Sequence, residues 1–111
     1  PMPHDFETQR AETVAVFNKL HAEQGLPETA DVDYFFIPAG DSANWEKLAE
    51  ELSDQGFACR YYEAEGDDPP YLVATLPEQL ISATGIWIGE ELATRAALSH
   101  GFAPDGWGLE S

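Results

Sequence analysis

The run Val32-Asp-Tyr-Phe-Phe-Ile37, stopped by Pro38-Ala-Gly40, constrains the fold more than any other stretch. Its aromatic and β-branched residues favour extended backbone, and it has too few polar positions to leave one side in water along its whole length. A strand of this kind is buried on most of its surface, which places it in the centre of a sheet. The remainder of the chain must therefore supply flanking strands and a covering layer.

Between Asp5 and Gln24 the apolar residues Phe6, Val14, Phe17 and Leu20, with Arg10 and His21 on the same stripe, predict an amphipathic helix. Gly25-Leu26-Pro27 ends it, and a short polar link leads to the central strand. After that strand, Asp41 or Ser42 offers an N-cap to a second helix. Its stripe is Trp45, Leu48, Ala49 and Leu52, and Gly56 closes it. Phe57 to Glu63 alternates Phe57, Cys59 and Tyr61 against Ala58, Arg60 and Tyr62, and Tyr71 to Thr75 resumes extended structure. The two predict a hairpin with a long acidic loop. Leu76-Pro77-Glu78 reads as the opening of the last helix, with Thr75 and Glu78 as a capping box and Pro77 in its first turn. Leu80, Ile81, Trp87, Ile88, Leu92, Ala96 and Leu98 carry its periodicity to about Ser99. Gly85 and Gly89 permit either close packing onto the sheet or a helix that begins only near Ser82. A short strand from Phe102 to Trp107 completes the sheet.

The order is thus a helix followed by two strand–helix–strand units, which fold most economically as a ferredoxin-like βαββαβ sandwich. This is an α+β arrangement: a four-stranded antiparallel sheet with helices on one face and an extra N-terminal helix. The 111 residues are expected to form one domain, residues 1–111, with a core that needs neither disulfide nor metal.

Charge narrows the function. Twenty-one acidic residues against five basic ones leave a net charge of −16, which opposes binding to nucleic acid or to an anionic membrane and favours a basic protein surface. The acids fall in two groups. Glu46, Glu50, Glu51 and Asp54 lie on the outer face of the second helix, and Glu63, Glu65, Asp67 and Asp68 lie in the hairpin loop. Both read as solvated surface and as candidates for steering a basic partner. The loop lacks the spacing of a calcium site, and Cys59, the single cysteine, reads as a structural thiol, so neither metal nor cofactor is expected. No nucleophile–base set, phosphate-binding loop or dinucleotide fingerprint is present, and no catalytic residue is assigned. No apolar run is long enough to span a membrane, which makes the cytoplasm the expected location.

The most specific stretch is His100-Gly-Phe-Ala-Pro-Asp-Gly-Trp-Gly108. Gly101 after an apolar helical run predicts a left-handed cap, and Asp105-Gly106 reads as a turn pair. Trp107, between Gly106 and Gly108, is either clamped onto the body of the protein or offered to a partner, and the two are compatible if one indole face is buried.

With Asp105-Gly-Trp-Gly108 placed after a helix and Gly101, the chain resembles the RraB family, small acidic protein inhibitors of ribonuclease E activity. That family's recurring pattern is Tyr-Asp-Gly-Trp near the C-terminus, and here Pro104 stands in place of the tyrosine. The likeness extends over Arg10, Leu20 and Gly25 in the first helix and over Leu48 and Leu52 leading to Gly56-Phe57. It implies a ferredoxin-like fold and a non-enzymatic regulator that binds a ribonuclease E-like endoribonuclease, inhibiting cleavage without reading the RNA's sequence. The alternatives are an immunity-type or nucleic-acid-mimic protein that blocks a toxin nuclease, and an acidic interaction domain with an unrelated partner.

Overall fold

The computed structural model describes residues 3–110. In chain order the elements are α1 (Phe6–Gln24), β1 (Thr29–Pro38), α2 (Trp45–Asp54), β2 (Ala58–Tyr62), β3 (Tyr71–Leu80), α3 (Ala83–Ser99) and β4 (Phe102–Glu110). The strands form one sheet in the order β2-β3-β1-β4, with every neighbouring pair antiparallel. This is the ferredoxin-like strand order, and α1 is the additional N-terminal helix.

As its composition demands, β1 is central, bonded to β3 on one side and β4 on the other. Strand periodicity sends Val32, Tyr34 and Phe36 toward the helices, where all three are buried, and sends Asp33, Phe35 and Ile37 to the opposite face. Leu48 and Leu52 of α2, Leu72 and Ala74 of β3, Ile86 and Ala93 of α3 and Phe102 of β4 close over the helix-facing set. Trp45 lies at the margin of this core, edge-on to Phe102 and Tyr61. Cys59 is half-buried, and burial pushes its thiol pKa up.

The helix stops follow the glycines. Gly25 has φ +68 and its N–H bonds the His21 carbonyl. Gly56, at φ +95, and Phe57 bond back to Ser53 and Leu52, the double closure of a Schellman motif, with Phe57 packed in the same core as Leu52. The α2 cap is neither Asp41 nor Ser42. Asn44, immediately before the stripe, accepts from the Lys47 N–H at 3.0 Å, while its own N–H bonds the His100 carbonyl.

The largest departure from expectation lies between Thr75 and Ser82. Leu76, Pro77 and Glu78 do not open a helix; β3 runs through them to Leu80, and Ser82 caps α3 by accepting from the Gly85 N–H at 2.9 Å. Thr75 is not a cap, because its hydroxyl donates to the Asp33 carboxylate on β1. Pro77 and Glu78 together oppose Asp31, which makes a β-bulge. A bulge tolerates proline's missing N–H, and the Glu78 N–H, in a residue with φ +50, is satisfied by the Asp31 carboxylate at 2.9 Å.

The buried face of α3 also differs from the expected stripe. It runs through Ile86, Trp87, Gly89, Glu90, Ala93, Thr94, Ala96 and Ala97, whereas Ile88, Leu92 and Leu98 are exposed. The reason is position: α3 is held between the sheet and α1, and small residues let both layers approach. Gly89 sits over Tyr34, whose hydroxyl donates to the Ile86 carbonyl at 2.8 Å. On α1 the contact face is partly polar, with Thr13 its only buried residue, Phe17 packed against the core and Arg10 and His21 turned to solvent.

Candidate functional site

The Asp105-Gly-Trp-Gly108 motif is not a chain reversal but a second β-bulge. Tyr34 pairs with Trp107 and Phe36 with Pro104, so Asp105 and Gly106 together oppose the single residue Phe35. Gly106 has φ +100, a backbone that an L side chain rarely adopts, and the extra residue restores the alternation with Trp107 toward the helices. Asp105 faces the neighbourhood of Phe35 on the other side, so the motif presents chemistry to both faces of the edge strand.

On the helix side, Trp107 packs against the core and is partly exposed, forming one wall of a cleft of about 500 Å³ between the N-terminal half of α1 and β4. Opposite it stand Asp5, Gln9, Glu12 and Thr13 of the helix start, with Glu90 contributed by α3. The start of α1 is firmly placed. Asp5 caps it by accepting from the Thr8 N–H at 3.0 Å and from the Thr8 hydroxyl at 2.8 Å, bonds that hold the Asp5 carboxyl below its ordinary range. Phe6 lies under the Arg95 guanidinium, 4.2 Å from it, and Arg95 is also paired with Glu91 at 2.8 Å.

Glu90 is the residue that pattern reading missed. It lies on the buried face of α3, between Ile86 and Ala93, and it is only 3% exposed. The Thr13 hydroxyl donates to its carboxylate, and beside this pair Gln9 donates to the Thr94 hydroxyl at 3.1 Å. Burial pushes the Glu90 pKa above the usual carboxylate value, against the opposing effects of its Thr13 and Gln9 hydrogen bonds. The cleft thus gathers the carboxyls of Asp5, Glu12 and Glu90 around an indole, with His4 as the one basic side chain in its lining. Electrostatically it accepts a cationic group more readily than an anionic one.

The two acidic groups singled out in the sequence are not brought to this cleft. Glu46, Glu50 and Asp54 are exposed on α2, which packs beside β2 at the opposite edge of the sheet, and Glu51 lies 3.3 Å from His100. Glu63, Glu65, Asp67 and Asp68 form the exposed β2–β3 loop. There Gly66, at φ +59, makes a tight turn closed by two backbone bonds between Glu65 and Asp68. Asp68 does line one depression with Asp105, of about 230 Å³ and floored by Phe35, Ile37 and Tyr71.

These features describe an acidic α+β protein of ferredoxin-like strand order, whose terminal bulge sets a half-buried indole beside a carboxylate-lined cleft. The family model of RraB, regulator of ribonuclease activity B, matches residues 10–109, and the chain belongs to that family. No curated protein matches the chain. Among the described residues no helix is long and apolar enough to cross a membrane.

Proposed function

We propose that this protein is a non-enzymatic inhibitor that docks on a basic segment of a ribonuclease E-like endoribonuclease and lowers its RNA cleavage. The observation that carries the reading is the family match over residues 10–109, which includes the bulge and Trp107 at the cleft. Regulators of ribonuclease activity act on the enzyme, and a chain of net charge −16 is suited to that task because it is repelled by the RNA and attracted to the segments that hold it.

In this reading the acids of α2 and of the β2–β3 loop accelerate encounter, and the Trp107 rim, with Gly106 and Gly108 on either side of it in the chain, anchors the complex, while Asp105 adds a carboxylate on the opposite face of β4. Inhibition then arises from occupancy of the enzyme's basic surface and requires no base recognition. Titration of RNA cleavage by a ribonuclease E-type enzyme against this protein tests it.

A further inference from the structure

The helices all lie on one face of the sheet, and among the described residues nothing covers the other. Across that open face runs an aromatic band. Tyr62 and Tyr71, register partners on β2 and β3, stack with centroids 4.8 Å apart at 13°, and Phe35 of β1 follows at 6.2 Å from Tyr71. Tyr62 is 37% exposed and the other two are partly so. One end of the band is polar and already satisfied, since Arg60 lies 3.9 Å from Asp33 and 3.5 Å from Glu110. At the other end Asp68 and Asp105 line the depression floored by Phe35 and Tyr71, and no basic side chain lines it.

Aromatic faces bordered by carboxylates match one chemical group closely. A guanidinium stacks on a ring face and offers its in-plane N–H groups to an acid, whereas an ammonium gains less from the stack. Charge selects the source of that group. A second copy of this chain would set −16 against −16, and a nucleic acid would bring phosphates to the same acids. We propose that the open sheet face is a docking surface for an arginine-bearing peptide segment, with Tyr62, Tyr71 and Phe35 as its platform and Asp68 and Asp105 as its charge partners. It rests on the preceding reading only in that the partner offers a basic segment.

The test uses two synthetic peptides of equal length and charge, one alternating Arg with Ser and one alternating Lys with Ser. Each is titrated into the full chain at low ionic strength, with amide chemical shifts recorded alongside affinity. The Arg peptide is expected to bind about threefold or more tighter than the Lys peptide, with shifts concentrated at Phe35, Tyr62 and Tyr71. The double variant Asp68→Asn/Asp105→Asn, at exposed positions, should weaken the Arg peptide several-fold. The control Glu23→Gln/Glu28→Gln, which removes the same charge at exposed positions that line neither the depression nor the cleft and carry no role in steering, should leave it nearly unchanged. Equal affinity for the two peptides, shifts that map to the α1–β4 cleft, equal weakening by both double variants, or no binding at all overturns the proposal. None of those results alters the outcome of the cleavage titration, so the two readings fail separately.

Discussion

Trp107 and Glu90 face the same cleft with opposite energetic consequences. The indole is partly buried against the core and also lines the cleft, so it stabilises the C-terminal strand while keeping surface that a partner can reach. Trp107→Ala should therefore lower stability by about 2–3 kcal/mol, somewhat less than truncation of a fully buried aromatic, and Trp107→Phe by less. Where the alanine variant is still fully folded, partner binding should fall by more than about 2 kcal/mol. Denaturation and binding titration on the same preparations check this, and unchanged midpoints in both variants contradict the clamp. Glu90 is a burden at neutral pH. Its folded pKa lies above the unfolded value, so the folded state holds the proton more tightly, and stability falls as pH rises through the folded pKa. Glu90→Gln keeps an acceptor for Thr13 without the charge, and the variant should be the more stable of the two at pH 7. That advantage should shrink as the pH is lowered toward 4.5, the ordinary glutamate value. Comparing the two proteins removes the background relief of self-repulsion that acid gives any chain of this charge. An advantage that grows on acidification contradicts this account.

At the scale of elements, α3 sets the spacing of the layers. A Cβ on Gly89 would fall 3.0 Å from Tyr34 Cζ and 3.1 Å from Leu76 Cδ1, and closer still to the Tyr34 hydroxyl, which is held by its bond to Ile86. Gly89→Ala should thus destabilise by about 1–3 kcal/mol, exceeding the roughly 1 kcal/mol that alanine gains in helix propensity. A raised denaturation midpoint would show that the interface can relax. This glycine was legible as a packing position, as were the central strand, the Leu48–Leu52 stripe and the glycine stops, because each depends on local chemistry. What stayed hidden depended on partners distant in the chain. Pro77 looks like a first-turn proline unless Asp31 is known to receive the Glu78 N–H across the sheet. Asp105-Gly106 looks like a turn unless Phe35 is known to lie opposite. Glu90 looks like one more surface acid, since nothing near it in the sequence reveals that α1 brings Thr13 over it. Ile88 and Leu92 carry the helical periodicity and yet are exposed, for the same reason: periodicity finds a helix but not the layer that lies against each of its faces.

For the molecule as a whole, the acids are spread over two edges of the sheet and both of its faces, so attraction to a basic partner is long-ranged while anchoring is local. Such attraction is screened within about 10 Å at 0.1 M salt, so encounter should depend steeply on ionic strength even where aromatic contacts hold the complex together. The most direct measurement is the rate of RNA cleavage by a purified ribonuclease E-type enzyme as this protein is added, at low and at near-physiological salt, with binding to the enzyme followed in parallel. The account predicts saturable inhibition that follows binding and weakens as salt rises, with no complex between this protein and the RNA. Cleavage that stays unchanged at low salt with the protein in excess, or inhibition that arises from binding the RNA, would contradict it.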